Sequence, residues 1–273
     1  MHNAQYRCQA TTKGYVQASY VDYFLGFGMA PPAPEAMMKH DVLWQGGING
    51  DWQTASTNNW LRGSSSSSSS FATGDAVLFD ISSQRNAVRL VGNLSPSAVN
   101  FYAPQSISID GSAGKWTGAM TLTKVGGGDL AISGTHDFSG KTTIWDGALR
   151  VDGRFTQSSI EAYGGIYGGQ AAQGLSGGRL CGAGQIDQRV TLHRGAALTP
   201  GNGMNHAATL TLAGGLTLED GAVIGIDLAA NADPAASAHD QLVIQGSLIA
   251  SGTCHVLVRP SQSQLLPGTY TLM

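Results

Sequence analysis

Between Leu122 and Gly153 the sequence reads LTKVGGGDLAISGTHDFSGKTTIWDGALRVDG, a chain of very short alternating segments separated by glycine. LAIS, TTIW and ALRV each place apolar side chains on one side only, as a strand buried on a single face requires. The glycines between them supply turns that other residues make at a cost. The same grammar returns at Thr209–Leu228, TLTLAGGLTLEDGAVIGIDL, and at Leu242–Val258, LVIQGSLIASGTCHVLV. A unit this small cannot bury its own apolar face, so it has to stack on its neighbours.

Composition agrees with stacked strands and tight corners. Charged residues make up 12% of the 273 residues, about half the usual share, and 38 residues are glycine. A net charge of -3 argues against a nucleic-acid partner. Apolar runs stay below the roughly 18 residues of a membrane helix, so no transmembrane segment is expected. The pattern predicts an all-β chain with a poorly regular N-terminal segment. Residues 1–41, with an aromatic group around Tyr15–Phe27 before a proline-rich break, read as a cap or leader; residues 42–273 read as the repetitive domain. Loops are expected near 62–71, which holds the seven serines Ser64–Ser70, near 163–178 and near 231–240.

Chemistry-bearing motifs are sparse. Neither GxSxG nor HExxH occurs, and Asp110–Lys115 reads as a glycine turn rather than a phosphate loop. Cys8, Cys181 and Cys254 are too far apart for a zinc knuckle; Cys181 and Cys254 read as small residues facing the interior. No metal or cofactor is expected. Asp75 and Asp80 flank one strand while Asp146 and Asp152 flank another. These four are the catalytic candidates, since paired carboxylates can share a proton and act as acid and base, although Asp beside a strand more often caps a turn. His136-Asp137 and His239-Asp240 read as loop residues. Trp44, Trp52 and Trp60 recur at equal spacing and are candidate sugar-stacking platforms, or else large fillers of a core.

The pattern LTKxGxGxLxxSGxxxxSGxTTIxxGxLxV resembles the passenger-associated repeat of autotransporters, surface-displayed β-helical proteins of Gram-negative bacteria. Lys124, Gly126, Gly128, Leu130, Ser133, Gly134, Phe138, Ser139, Gly140, Thr142, Thr143, Ile144, Gly147, Leu149 and Val151 carry it. The resemblance implies a right-handed parallel β-helix, with handedness also favoured by the general rule for parallel crossovers. It implies export to the cell surface or medium, although neither a signal peptide nor the strands of a translocation barrel are expected within this sequence. Insertions in such helices project as loops where binding residues sit, which singles out Tyr163 and Tyr167. The expected role is a monomeric scaffold or adhesin-like protein contacting a host or matrix glycoprotein or glycan. The alternative is a secreted hydrolase, an acid-dependent peptidase or glycan-active enzyme, using paired carboxylates.

Overall fold

The computed structural model describes residues 39–54, 58–63, 67–164, 177–202, 207–228 and 239–260. The chain divides into two units, Met1–Ala33 and Pro34–Met273, and every described residue belongs to the second. The N-terminal segment and Cys8 therefore lie outside the described residues, as do 64–66, 165–176 and 231–238 within the three expected loops.

The second unit is all-β. Its strands lie in three sheets of eleven, nine and five strands, and nearly every strand pairs in parallel with the strand one coil before and one coil after it. This is the expected parallel β-helix. One coil runs through Thr121–Lys124, Leu130–Ser133 and Thr135–His136, contributing one strand to each sheet. The next runs through Thr142–Ile144, Ala148–Val151 and Arg154–Phe155, directly above it. Register partners are Leu122 with Thr142, Leu130 with Leu149, and Thr135 with Arg154.

Period-two alternation explains this arrangement at residue level. Leu130, Ile132, Leu149 and Val151 point inward and are buried, while Ala131 and Arg150 between them point outward. Stacking the coils joins the inward residues into one apolar column running from Val42 to Leu242. Each inward Leu or Ile is worth about 1.5–3 kcal/mol by transfer from water, which a single coil could not collect.

The two ends of this column differ. At the start, Val42–Trp44 pairs in parallel with Ala76–Phe79 on one side and antiparallel with Trp60–Arg62 on the other; Trp60–Arg62 pairs antiparallel with Ser68–Ser69. Part of the serine run expected as loop is thus a short strand, because backbone pairing asks nothing of the side chain. Trp44, Trp52 and Trp60 fill the interior here, with Trp44 and Trp52 each edge-on to Trp60 at 4.8 and 5.1 Å. At the other end of the described residues, Leu248–Ala250 and His255–Pro260 are the last strands of their sheets, and Leu248, Val256 and Val258 are exposed.

Three local expectations are corrected. Asp110–Lys115 is not a turn but the middle of the ten-residue strand Ile107–Trp116. His136 lies on a short strand and is fully buried. Cys181 is buried but pairs with Arg150 and Thr199, on the opposite side of its strand from the inward Leu180, and both Cys181 and Cys254 are free thiols. Burial pushes the Cys181 thiol up to about 11, leaving it unreactive at neutral pH.

Candidate functional site

The four candidate acids are held separately. Asp75 is engaged by Arg62 at 2.7 Å and accepts the Ala72 amide at 2.8 Å. Asp80 accepts the amide and hydroxyl of Ser82 at 2.8 and 2.6 Å, a local turn cap. Asp152 pairs with Arg150 of its own coil at 2.6 Å. Asp146 is buried, and desolvation raises its carboxyl pKa against the opposing pull of the Gly147 amide and Lys124.

Lys124 explains part of that last environment. It sits on the inward side of Thr121–Lys124, so its stem packs in the core while Nζ donates to the carbonyls of Gly126 and Asp146, the latter at 3.0 Å. Burial depresses its pKa to about 8, with Asp146 and Asp129 acting in the opposite direction. The amine thus clips two successive corners together. His136 is satisfied in a similar way: Nδ1 accepts the Trp116 amide at 3.2 Å, which leaves Nε2 to donate to the Ser133 carbonyl at 2.9 Å. With both nitrogens used and burial lowering its pKa, His136 is a neutral core residue.

A carboxylate pair that the sequence reading did not single out joins Asp227 and Asp240. Asp240 accepts the amides of Asp227 and Ala208 at 3.0 and 3.2 Å, and Asp227 contacts Arg259 of the next coil at 2.7 Å. Burial, then the Asp227 charge, raises Asp240 to about 6. Both acids are buried, 4% and 0% exposed, so they brace the strand end rather than face a substrate. Their separation of 13 positions in sequence left no local signal.

The aromatic candidates are also placed differently from a binding face. Trp44, Trp52 and Trp60 are 0% exposed and serve as core, because an indole buries more apolar area at a column end than any aliphatic side chain. Tyr163 stands outside the column in an outward ladder of rings. It stacks on Trp145 at 4.2 Å and on His193 at 4.0 Å, so both its faces are covered. Its hydroxyl donates to Glu161 at 2.7 Å, and Glu161 also meets Lys141 at 2.6 Å, while His193 meets Glu219 at 2.9 Å. Burial and the Glu161 bond raise the phenol pKa. Tyr167 lies outside the described residues.

A concave surface does occur where the second sheet turns into the third. Gly134, Gly153 and Gly184 stack at this corner on successive coils, and a methyl group on Gly153 would collide with the carbonyl of Gly134, as one on Gly184 would with that of Gly153. The coils therefore stack backbone on backbone here, and an open groove of about 590 Å³ runs over the corner. Its walls carry Thr135, Asp152, Arg154, Gln185, Thr209 and Thr211. Arg154 pairs with Asp187 at 2.8 Å, and Gln185 donates to Asp187 at 2.6 Å. Of the four candidate acids, Asp152 is the one in this groove.

Among the described residues no group of three or more His, Cys, Asp or Glu could hold a metal ion, and no helix is long and apolar enough to cross a membrane.

Comparison with known proteins places one part of the chain. Residues 122–151 match the family model described as passenger-associated-transport-repeat. No curated protein and no solved structure matched. On the fold, the matched residues take in all three strands of one coil and the first two of the next, held in register by the Leu122–Thr142 and Leu130–Leu149 pairings. Lys124 and Gly147 of the pattern meet at the clipped corner, where a methyl on Gly147 would run into the Lys124 amine. The chain carries a passenger-associated-transport-repeat, set in a parallel β-helix.

Proposed function

We propose that the protein is displayed at, or released from, the surface of a Gram-negative bacterium, where it acts as a monomeric, adhesin-like β-helical scaffold contacting host or matrix glycoproteins. The passenger repeat supports the export route, and the stacked coils supply a stiff body on which outward residues keep fixed positions.

One observation favours binding over the alternative of hydrolysis. Three of the four candidate acids are occupied by their own partners, Asp75 by Arg62, Asp80 by Ser82 and Asp152 by Arg150, and the fourth, Asp146, is buried against the Gly147 amide. The acids that do approach one another, Asp227 and Asp240, are buried. Acid and base chemistry needs two carboxyls of different pKa reaching one substrate from an accessible cleft.

The test is a binding and turnover assay on the purified chain. Saturable binding to immobilised mucin-type or matrix glycoproteins, without release of sugar or peptide fragments, is the expected result. Absence of binding to all of them, or turnover abolished by a single Asp substitution, contradicts the proposal.

A further inference from the structure

We infer that the corner groove along Gly134, Gly153 and Gly184 is a binding site for a linear, uncharged glycan lying parallel to the axis of the coils. This inference rests on the scaffold reading above and adds the place and the ligand class.

The floor is the first reason. Gly134, Gly153 and Gly184 all line it, and because a side chain on any of them would enter the coil before it, backbone stacks directly on backbone and the floor continues from coil to coil instead of closing into a pit. A ligand that fills it must be elongated. The walls are the second. Thr135, Arg154, Gln185 and Thr211 are register partners on four consecutive strands of the third sheet, so hydrogen-bonding groups recur once per coil, at the ~4.8 Å spacing of paired strands. A polymer of small repeating polar units meets an equivalent set of partners at each step.

Charge and backbone narrow the class further. The groove holds one carboxylate, Asp152, and one guanidinium, Arg154, and each is already paired with an opposite charge, to Arg150 and to Asp187. A polyanion would find no unpaired cation to replace its counterions, which disfavours nucleic acid and sulfated chains. An extended peptide binds by adding a strand to a free edge or by filling apolar pockets. Arg154–Phe155 and Gln185–Ile186 are paired on both sides, and Ala183 is the one apolar side chain in the lining. Neutral hydroxyls match what remains: hydroxyl, amide and ion-paired groups that both donate and accept.

The experiment is calorimetric titration of the full chain with cellohexaose, glucose and a heparin hexasaccharide, repeated on Gln185→Ala/Thr211→Ala and on Thr211→Arg, which fills the groove. Circular dichroism checks that each variant keeps its β signal. Binding of cellohexaose but not glucose, weakened roughly tenfold in the double variant by loss of its hydrogen bonds and abolished in Thr211→Arg, is the expected result. Cellohexaose affinity unchanged in both folded variants overturns the location. Heparin binding in preference to cellohexaose, or glycoprotein binding by a chain that ignores cellohexaose, overturns the ligand class while the scaffold reading stands. A chain that binds neither glycoproteins nor any of these sugars fails both.

Discussion

Lys124 shows how a single residue departs from a repeat without breaking it. Its position in the alternation is an inward one, and a lysine there looks like an error until the corner carbonyls of Gly126 and Asp146 are seen within reach of Nζ. The amine is held well below its ordinary pKa, at about 8 against 10.5. Between these values the unfolded chain binds a proton that the folded chain has released, so this group's contribution to stability rises with pH across about 8 to 10.5, by up to about 3 kcal/mol. We expect the stability difference between the native chain and Lys124→Met, read from urea unfolding at pH 7.5, 9 and 10.5, to widen in favour of the native chain as pH rises. A difference independent of pH would mean that the amine is solvated. Inward Val151 was legible because it follows the period-two rule; the duty of Lys124 was not, since it depends on a corner one coil away.

At the scale of the element, the strands were legible and the corners were not. LAIS, TTI and ALRV form the strands their alternation implies. The stacked corner under the groove needs Gly134, Gly153 and Gly184 to coincide, and no local pattern announces that, because their spacing in sequence is unequal. Asp110–Lys115 went the other way: its glycines read as a turn, yet they let one strand pass the corner in close contact with its neighbours. Two alanine substitutions separate these roles. Gly153→Ala forces a methyl into the Gly134 carbonyl, an overpacking of about 1–3 kcal/mol that lowers Tm by roughly 2–10 °C. Gly127→Ala meets no atom closer than an Asp146 carboxylate oxygen at 4.0 Å and should leave Tm nearly unchanged. Differential scanning calorimetry reads both, and equal shifts would contradict the corner packing.

For the β-helical unit as a whole, stability is a sum over neighbouring coils, so the two ends are set apart from the middle. The beginning is closed by tryptophans and antiparallel strands, whereas Leu248, Val256 and Val258 of the last described coil remain exposed at sheet edges. Hydrogen exchange followed by mass spectrometry should show the amides of residues 255–259 exchanging well before those of Ala148–Val151, which lie between two paired neighbours. Uniform protection along the chain would instead indicate one globally cooperative block. This asymmetry was outside the reach of sequence reading, because the terminal coils obey the same alternation as the central ones and differ in what lies beside them.

The stacking register of the passenger repeat underlies the fold, the groove and the proposed role alike, and paired cysteines measure it directly. In a background where the native cysteines are replaced by serine, Thr123→Cys/Thr143→Cys places thiols on register partners of adjacent coils, at a spacing a disulfide can bridge. Thr123→Cys/Arg150→Cys places them on different sheets. Rapid oxidation to an intramolecular disulfide in the first variant and none in the second is the predicted result; cross-linking of the second pair in preference to the first would contradict the stacked coils.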